Sequence, residues 1–351
     1  MGSPIYANNA LFNKDENNMS THWRLLKSRL SDLGYDFVTD DNIKVTDCER
    51  IIFMDATSLG EPVDFKTKIK IEIKTLLGLK NKTYPTRKLY QEAINAGMRS
   101  KMILFIWEGK SVCPSNFYKS TWDKFDKILT WDDDLVDNKK FFKSFVTSKR
   151  HIPITKVVPF DKKKLLVNMS INRLSSYKNE LYSKRKEAIE YFDKYYPNDF
   201  DLYGFRWGKP VTKLERIFPF LTKNYATYQG QSKNKVETLS HYKFNICYEN
   251  NSDANGYVTE KIFDSFGSRI VPIYLGAKNI EKYVDTNAFI DRRKFKSNAD
   301  LAEFITKMTE EEYNKYLVAG EQCLKSDQYF KFTPEYFSDN VIKALNLKLN
   351  T

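Results

Sequence analysis

The chain has 351 residues, more than a single hydrophobic core usually supports, so two domains are expected. Its apolar content of 41% and aromatic content of 15% exclude an intrinsically disordered protein. The net charge of +12 suits an anionic partner such as a nucleic acid, an anionic membrane surface or a phosphate-bearing substrate. Acidic residues are interspersed among the basic ones, however, and that pattern is also typical of a solvated surface.

Residues 1–18 are mostly polar and lack the apolar core of a signal peptide, so we interpret them as a flexible lead. No run of about 18 apolar residues indicates a membrane-spanning helix. The four cysteines are scattered and there are only three histidines, which argues against a zinc cluster or a disulfide framework. We therefore expect a cytoplasmic protein, with peripheral contact to the inner face of an anionic membrane as a further hypothesis.

The first half of the chain alternates helix and strand patterns. A helix is predicted where Trp23, Leu26, Leu30 and Leu33 recur at helical spacing before Gly34, a residue type that commonly ends helices. Alternation of strands with helices predicts a parallel sheet. The further elements predicted here are strands at 50–56, 102–107 and 125–131 and a helix at 86–97.

A second α/β series follows a basic segment with two prolines near 148–163, which we interpret as the interdomain connection. The predicted domains are 19–155 and 160–330, followed by a C-terminal helix at 331–351. A cleft between two such domains is the natural ligand site. The elements predicted in the second domain are strands at 164–170, 200–205, 244–249 and 269–276 and helices at 175–196 and near 258–267.

The segment 245–277 places charged residues at the start of a helix whose remainder is apolar. At about 100° per residue, one face of this helix carries Tyr257, Glu260, Lys261 and Asp264. Unpaired N–H groups and the positive end of the helix dipole favour an anion there. This geometry predicts a nucleotide-diphosphate site, with Lys261 for the phosphate charge and Glu260 for ribose hydroxyls. An ordinary solvated helix face is the alternative that spacing alone leaves open.

Ordered motifs in this region are shared with a known family. Tyr-Lys-Phe at 242–244 precedes Glu249-Asn250, then comes Tyr-Val-Thr-Glu-Lys at 257–261, and Val-Pro-Ile-Tyr-Leu-Gly follows at 271–276. This series resembles the hallmark segment of the α1,3/4-fucosyltransferases of glycosyltransferase family 10, most closely that of soluble, bacterial-type members. A weaker resemblance extends upstream into the first half of the chain.

The resemblance implies a GT-B fold, in which two Rossmann-like domains face a central cleft. The N-terminal domain would bind the acceptor and the C-terminal domain GDP-fucose. It implies an inverting fucosyltransferase that moves L-fucose from GDP-fucose to a hydroxyl of a glycan acceptor, the 3-OH of N-acetylglucosamine or glucose. No cofactor is implied as a requirement, and stimulation by Mn²⁺ or Mg²⁺ stays open.

The family reaction needs a general base, because a sugar hydroxyl is a poor nucleophile at neutral pH. Family members have a carboxylate after a matching strand, and the resemblance implies that Glu108 is this base. Glu108 follows the apolar strand 102–107, at the end where open α/β sheets place their ligands. A surface glutamate in a loop is the alternative, and the usual Glu-Ser-Pro spacing is absent.

The resemblance also implies the donor-binding residues. Arg185 aligns with an arginine that contacts the pyrophosphate, and its planar fork can bind two phosphate oxygens. An exposed basic residue on a charged helix is the alternative for Arg185. The other donor-binding residues implied are Asn250, Tyr257, Glu260 and Lys261. Asn251 could take the place of Asn250, and Glu249 is implied as a supporting residue.

Other functions remain as alternatives. A different GDP-deoxysugar could replace fucose, because the motif binds GDP more than the sugar. A basic nucleic-acid-binding protein is a second alternative, although no RNA- or DNA-binding motif is present. A catalytically inactive glycan-binding relative is a third.

Asp132 and Asp134 form an Asp-x-Asp sequence that suggests a metal site, but we expect a turn and no metal ligands there. The partners expected are the nucleotide-sugar donor and an oligosaccharide or glycolipid acceptor.

Overall fold

The structure is a computed structural model that describes residues 8–13, 20–59, 88–147 and 149–347. The chain divides into two compact units. One comprises residues up to Trp131, Leu135–Ser144 and Phe337 onward, and the other comprises Asp132–Asp134 and Phe145–Tyr336. Residues 86–87 of one predicted helix, 148 of the predicted connection and 348–351 of the predicted C-terminal helix lie outside the described residues.

The N-terminal unit contains a four-stranded parallel sheet. Its strands are β1 (Ile51–Met54), β2 (Met102–Ile106), β3 (Lys127–Thr130) and β4 (Phe141–Lys143), in the order β1-β2-β3-β4. Three of these strands were predicted from their apolar runs. The sequence did not predict β4, because it has only three residues, all of them half-buried, and so carries no strand pattern.

The helices that the structure describes between Thr21 and Trp122 are α1 (Thr21–Asp32), α2 (Leu89–Asn95) and α3 (Lys119–Trp122). Trp23, Leu26 and Leu30 of α1 are buried, as their spacing predicted. Leu11 is also buried in this core, although it lies in the segment interpreted as a flexible polar lead. The core of this unit is completed by Ile103, Phe105, Leu129, Phe337, Val341 and Leu345.

The C-terminal unit contains a five-stranded parallel sheet in the order β6-β5-β7-β8-β9. Since β6 and β7 lie on opposite sides of β5, the strand order reverses direction between β5 and β7. In open α/β sheets, ligands bind at the carboxyl ends of the strands where such a reversal occurs. The strands are β5 (Lys164–Met169), β6 (Phe200–Tyr203), β7 (Tyr242–Tyr248), β8 (Val271–Leu275) and β9 (Ile290–Asp291).

The helices that follow in the chain are α4 (Tyr182–Tyr195), α5 (Lys213–Ile217), α6 (Lys235–Ser240), α7 (Glu260–Gly267), α8 (Asn298–Lys307), α9 (Glu310–Cys323), α10 (Asp327–Phe330) and α11 (Pro334–Leu345). No helix among the described residues is both long enough and apolar enough to cross a bilayer.

The predicted helix at 175–196 begins later in the structure, at Tyr182. The preceding residues pair with the loop after β7 instead: Glu180 forms an antiparallel bridge with Asn251, and the Asn179 carbonyl accepts a hydrogen bond from the Ser252 amide. These tertiary hydrogen bonds replace the first turns of the helix. The boundary predicted from sequence was therefore wrong by about two turns.

Candidate functional site

A small cavity lies at the carboxyl ends of β5 and β7, where the strand order reverses. Its walls carry three basic side chains that come from three different helices, α4, α6 and α7. They are Arg185, Lys235 and Lys261. A cluster of cations at the strand ends of a parallel sheet is suited to an anionic ligand.

Arg185 lies in the first turn of α4 and is only 5% exposed. Its guanidinium donates hydrogen bonds to the backbone carbonyls of Tyr248 (2.5 Å) and Glu249 (3.0 Å), just after β7. Burial lowers the pKa of Arg185, but an arginine stays charged in proteins. No ion pair joins Arg185 to a carboxylate in the part of the chain that the structure describes. The alternative of an exposed helical arginine is therefore wrong.

Glu249 follows β7 and is fully buried. Its carboxylate accepts hydrogen bonds from the backbone N–H and the hydroxyl of Thr259, each at 2.9 Å. It also accepts a 2.8 Å bond from the Lys261 ammonium. Gly276 allows this arrangement, because a Cβ there would lie 2.6 Å from Cγ of Glu249. Glu249 thus supports the site and fixes Lys261.

Burial pulls the pKa of Lys261 down, but the carboxylates of Glu249 and Glu260 outweigh it and raise that pKa above its ordinary value. Lys261 is therefore cationic at physiological pH. The pKa of Glu260 is lowered, because Lys261 and Lys235 outweigh the effect of burial. Glu260 is therefore ionised and able to accept hydrogen bonds from ligand hydroxyls.

The start of α7 differs from the prediction. Thr259 is the N-cap and the helix begins at Glu260, so Tyr257 and Val258 precede the helix. Tyr257 is only 2% exposed, and its hydroxyl lies 3.5 Å from the Asn250 side-chain amide nitrogen. Asp264 is buried as well. The polar face of α7 is therefore not an ordinary solvated surface.

Asn250 and Asn251 are distinguished by burial. Asn251 is fully buried and pairs with Glu180 in a backbone bridge, so its role is structural. Asn250 is partly exposed beside Tyr257. Of the two asparagines, Asn250 is the one whose side chain is accessible to a ligand.

Sequence reasoning missed Lys235. Its ammonium lies 2.5 Å from a carboxylate oxygen of Asp264, and the other oxygen of Asp264 lies 2.9 Å from Nε2 of His151. Burial opposes ionisation of Asp264, but Lys235 and His151 outweigh it and keep the pKa of Asp264 well below its usual range. No local signal points to Lys235, because α6 contacts the site only through the tertiary fold.

Asn245 also lines the cavity, and within the described residues its buried Oδ1 has no hydrogen-bond partner.

Glu108 lies two residues beyond β2 in the N-terminal unit, at the carboxyl end of the strand as predicted. The buried carboxylate of Asp55 accepts hydrogen bonds from the backbone N–H groups of Trp107 (2.8 Å) and Glu108 (3.0 Å) and from the side chain of Asn116 (2.7 Å). The Asn116 amide also donates to the Glu108 carbonyl, at 3.0 Å. This network fixes the backbone at Glu108.

The Asp-x-Asp sequence forms a turn, as expected, and its side chains have structural partners. Asp133 accepts hydrogen bonds from the Tyr283 hydroxyl and the Asn279 amide. Asp134 accepts from the Asn255 amide, and the Asp132 carboxylate accepts from the Asp134 N–H. Within the described ranges no group of three or more His, Cys, Asp or Glu residues is placed to hold a metal ion.

Comparison with known proteins agrees with this organisation. Residues 161–333 match the family model described as "Glycosyltransferase family 10 (fucosyltransferase) C-term". A 73-residue segment is 42% identical to an α-(1,3)-fucosyltransferase of Helicobacter pylori, covering 21% of this chain and 15% of that protein. An 80-residue segment is 39% identical to an α-(1,4)-fucosyltransferase of Arabidopsis thaliana, covering 22% of this chain and 20% of that one. The matched segments thus span a fifth or less of these relatives.

A solved structure of an α1,3-fucosyltransferase superposes with a TM-score of 0.50 at 14% identity, covering 93% of this chain and 85% of the other. The fold is therefore the GT-B fold of glycosyltransferases, which confirms the predicted fold class. The matching family model and the aligned relatives show that residues 161–333 are similar to the C-terminal domain of glycosyltransferase family 10, the fucosyltransferase family.

Proposed function

We propose that this protein is an inverting fucosyltransferase that moves L-fucose from GDP-fucose to a hydroxyl of a glycan acceptor. The match of residues 161–333 to the family 10 model supports the reaction class, and the aligned relatives are named as fucosyltransferases. A mouse relative that is 36% identical over 75 residues is named as acting on the 3-position of N-acetylglucosamine. The acceptor hydroxyl proposed is accordingly the 3-OH of N-acetylglucosamine or glucose.

The observation that carries the proposal is the buried guanidinium of Arg185. A buried charge is costly unless it is paired and hydrogen-bonded, and an anionic ligand would supply the pairing that Arg185 lacks. Arg185 lines one cavity with Lys235 and Lys261, at the strand ends where α/β folds bind nucleotides. We assign this place to the diphosphate of GDP.

The three cations would act mainly as the sugar leaves. Negative charge develops on the departing diphosphate, and cations fixed in place before the reaction stabilise it without reorganisation. Lys261 is held by Glu249 and Lys235 by Asp264, so both ammonium groups are fixed. Glu260, Tyr257 and Asn250 would contact the rest of the donor.

The acceptor hydroxyl needs a base, and we propose Glu108 for this role. It lies at the carboxyl end of β2, and the Asp55–Asn116 network fixes its backbone. The carboxylate would take the proton as the hydroxyl attacks the anomeric carbon from the face opposite GDP. The acceptor itself is proposed to be an oligosaccharide or a glycolipid.

Calorimetric titration with GDP and GDP-fucose tests the donor site. EDTA is present throughout, and UDP serves as the control for selection of the nucleobase. We expect GDP binding to weaken by at least about tenfold in Arg185→Gln, because a charge-assisted hydrogen bond contributes about 1.5–3 kcal/mol. The matched control is Lys184→Gln on the same helix, whose ammonium pairs with exposed Glu187. This control should bind GDP as the original protein does.

Absence of GDP binding by the unsubstituted protein would contradict the proposed function. If Arg185→Gln and Lys184→Gln lost GDP affinity equally, the assignment of the diphosphate to the cavity lined by Arg185 would be contradicted. Circular dichroism of Arg185→Gln separates a lost contact from a lost fold.

A further inference from the structure

The segment 213–221, here called the apolar turn, exposes large apolar side chains to solvent. Phe220 is 82% exposed and Ile217 67% exposed. Such side chains normally occur singly on a protein surface, and a contiguous group indicates an interaction site. The exposed apolar members of the turn are Leu214, Ile217, Phe218, Phe220 and Leu221.

The apolar turn is an ordered structure. It consists of α5 and a 3-10 turn at Pro219–Leu221, and α5 packs chiefly against that turn. Thr212 and Glu215 form a capping box at the start of α5. Leu214 and Ile217 therefore share one face of α5, and Phe218 follows as the residue that ends the helix.

The base of this segment is anchored in the core of the C-terminal unit. Trp207 and Tyr225, which flank it, are buried and contact each other edge-to-face, with ring centroids 5.2 Å apart. The Trp207 indole also donates a hydrogen bond to the Ser170 carbonyl. The exposed residues of the apolar turn therefore project from a part of the chain whose position is fixed by buried contacts.

Basic side chains accompany the apolar tip. Lys209, Lys213 and Arg216 are exposed, and within the described ranges Lys213 and Arg216 have no ion-pair partner. The one acidic residue of the turn, Glu215, directs its carboxylate to the backbone N–H groups of Val211 (2.7 Å) and Thr212 (2.9 Å). Its charge is therefore bound to the start of the helix.

We propose that the apolar turn docks onto an anionic phospholipid surface. Apolar side chains that enter the acyl boundary beside lysines and arginines that meet anionic headgroups are the pattern of membrane-surface helices. The net charge of +12 complements the same surface.

Sedimentation with unilamellar vesicles tests the proposal in the absence of donor and acceptor, so its outcome is independent of the proposed function. One set of vesicles contains phosphatidylcholine and phosphatidylglycerol in equal parts, and the other phosphatidylcholine alone. We expect binding to the anionic vesicles that weakens with added salt. The double variant Ile217→Ser/Phe220→Ser should lower the partition coefficient by at least about tenfold.

A second variant separates charge from apolar insertion. Lys213→Gln/Arg216→Gln should bind more weakly and with a smaller salt dependence. The matched control is Val318→Ser, which removes an apolar side chain 55% exposed on α9 and should leave binding unchanged. All substituted residues are exposed, so the fold is expected to persist.

Equal vesicle binding by the original protein and the Ile217→Ser/Phe220→Ser variant would overturn the proposal. So would the absence of binding to anionic vesicles. If sedimentation velocity then showed self-association that the same variant abolished, the apolar turn would be a contact between copies of this chain.

Discussion

Buried charge is what distinguishes the candidate site from the remaining surface. Arg185, Glu249 and Asp264 are each at least 95% buried, whereas most charged residues of this chain are exposed. Glu249 and Asp264 are each matched by a lysine that lines the cavity. Among the residues described, Arg185 contacts two backbone carbonyls and the Tyr182 ring but forms no ion pair. Its remaining charge is therefore the strongest indication of an anionic ligand.

Glu108→Gln tests the proposed base. The amide keeps the shape of the side chain but cannot accept the proton, so we expect the turnover rate with GDP-fucose and a glycan acceptor to fall by about 10²–10⁴-fold. The affinity for GDP-fucose should stay the same, because Glu108 is not assigned to the donor. Steady-state kinetics and calorimetry measure the two quantities separately.

Glu92→Gln is the control for this substitution, since Glu92 is an exposed glutamate of the same unit, on α2. Its turnover should equal that of the original protein. Retained turnover in Glu108→Gln would contradict the assignment of the base, and loss of GDP-fucose binding would indicate damage beyond proton transfer.

The elements of the C-terminal unit are joined by polar contacts near the amino ends of the strands as well as by their apolar core. Lys163, just before β5, donates hydrogen bonds to the Arg269 carbonyl (2.6 Å) ahead of β8 and to the Tyr313 hydroxyl of α9 (3.0 Å). Burial, with a smaller contribution from the charge of Arg269, lowers the pKa of Lys163 to about 8.

This lowered pKa predicts a pH dependence of stability. Between about pH 8 and the ordinary lysine pKa of 10.5, the unfolded chain holds the proton and the folded chain has released it. Because the unfolded chain binds more protons, the contribution of Lys163 to the free energy of unfolding increases as pH rises through this window. Relative to Lys163→Met, the gain should be about 1–3 kcal/mol. Urea unfolding at several pH values, followed by circular dichroism, measures it.

Lys162→Met is the matched control, because the Lys162 side chain is 73% exposed. It should show the same pH dependence as the original protein. The burial argument would fail if Lys163→Met did so too.

At the scale of the whole molecule, the two units are expected to respond differently to the donor. The proposed GDP contacts all lie in the C-terminal unit, and a ligand stabilises the region that binds it. At about a hundred times the dissociation constant, binding adds about 2.7 kcal/mol, which slows exchange through opening of that region by about 100-fold. Hydrogen exchange with mass spectrometry should show this protection in β5, β7 and α7.

Peptides of β2 and β3 provide the internal control and should exchange at an unchanged rate. Protection confined to the N-terminal unit would contradict the assignment of the donor site. UDP, added at the same concentration, should protect neither unit if the site selects guanine.

The sequence determined most of the elements and led to the proposed reaction class. Apolar runs predicted β1, β2 and β3 and most strands of the second sheet, because burying a strand on both faces requires such a run. The Tyr257–Lys261 motif pointed to the candidate site, and Glu108 was correctly placed at a strand end. These features are local in the chain, so spacing and residue type suffice to find them.

Only the tertiary structure decided which charges meet. Lys235 lines the cavity because α6 packs beside α7, and it pairs there with Asp264, a contact between residues far apart in the chain. The later start of α4 likewise depends on the bridge between Glu180 and Asn251. The resemblance proposed Arg185 for the diphosphate, and only its burial excluded the alternative of an exposed helical arginine. Pairing and burial depend on packing between distant segments, and residue spacing along the chain carries no record of them.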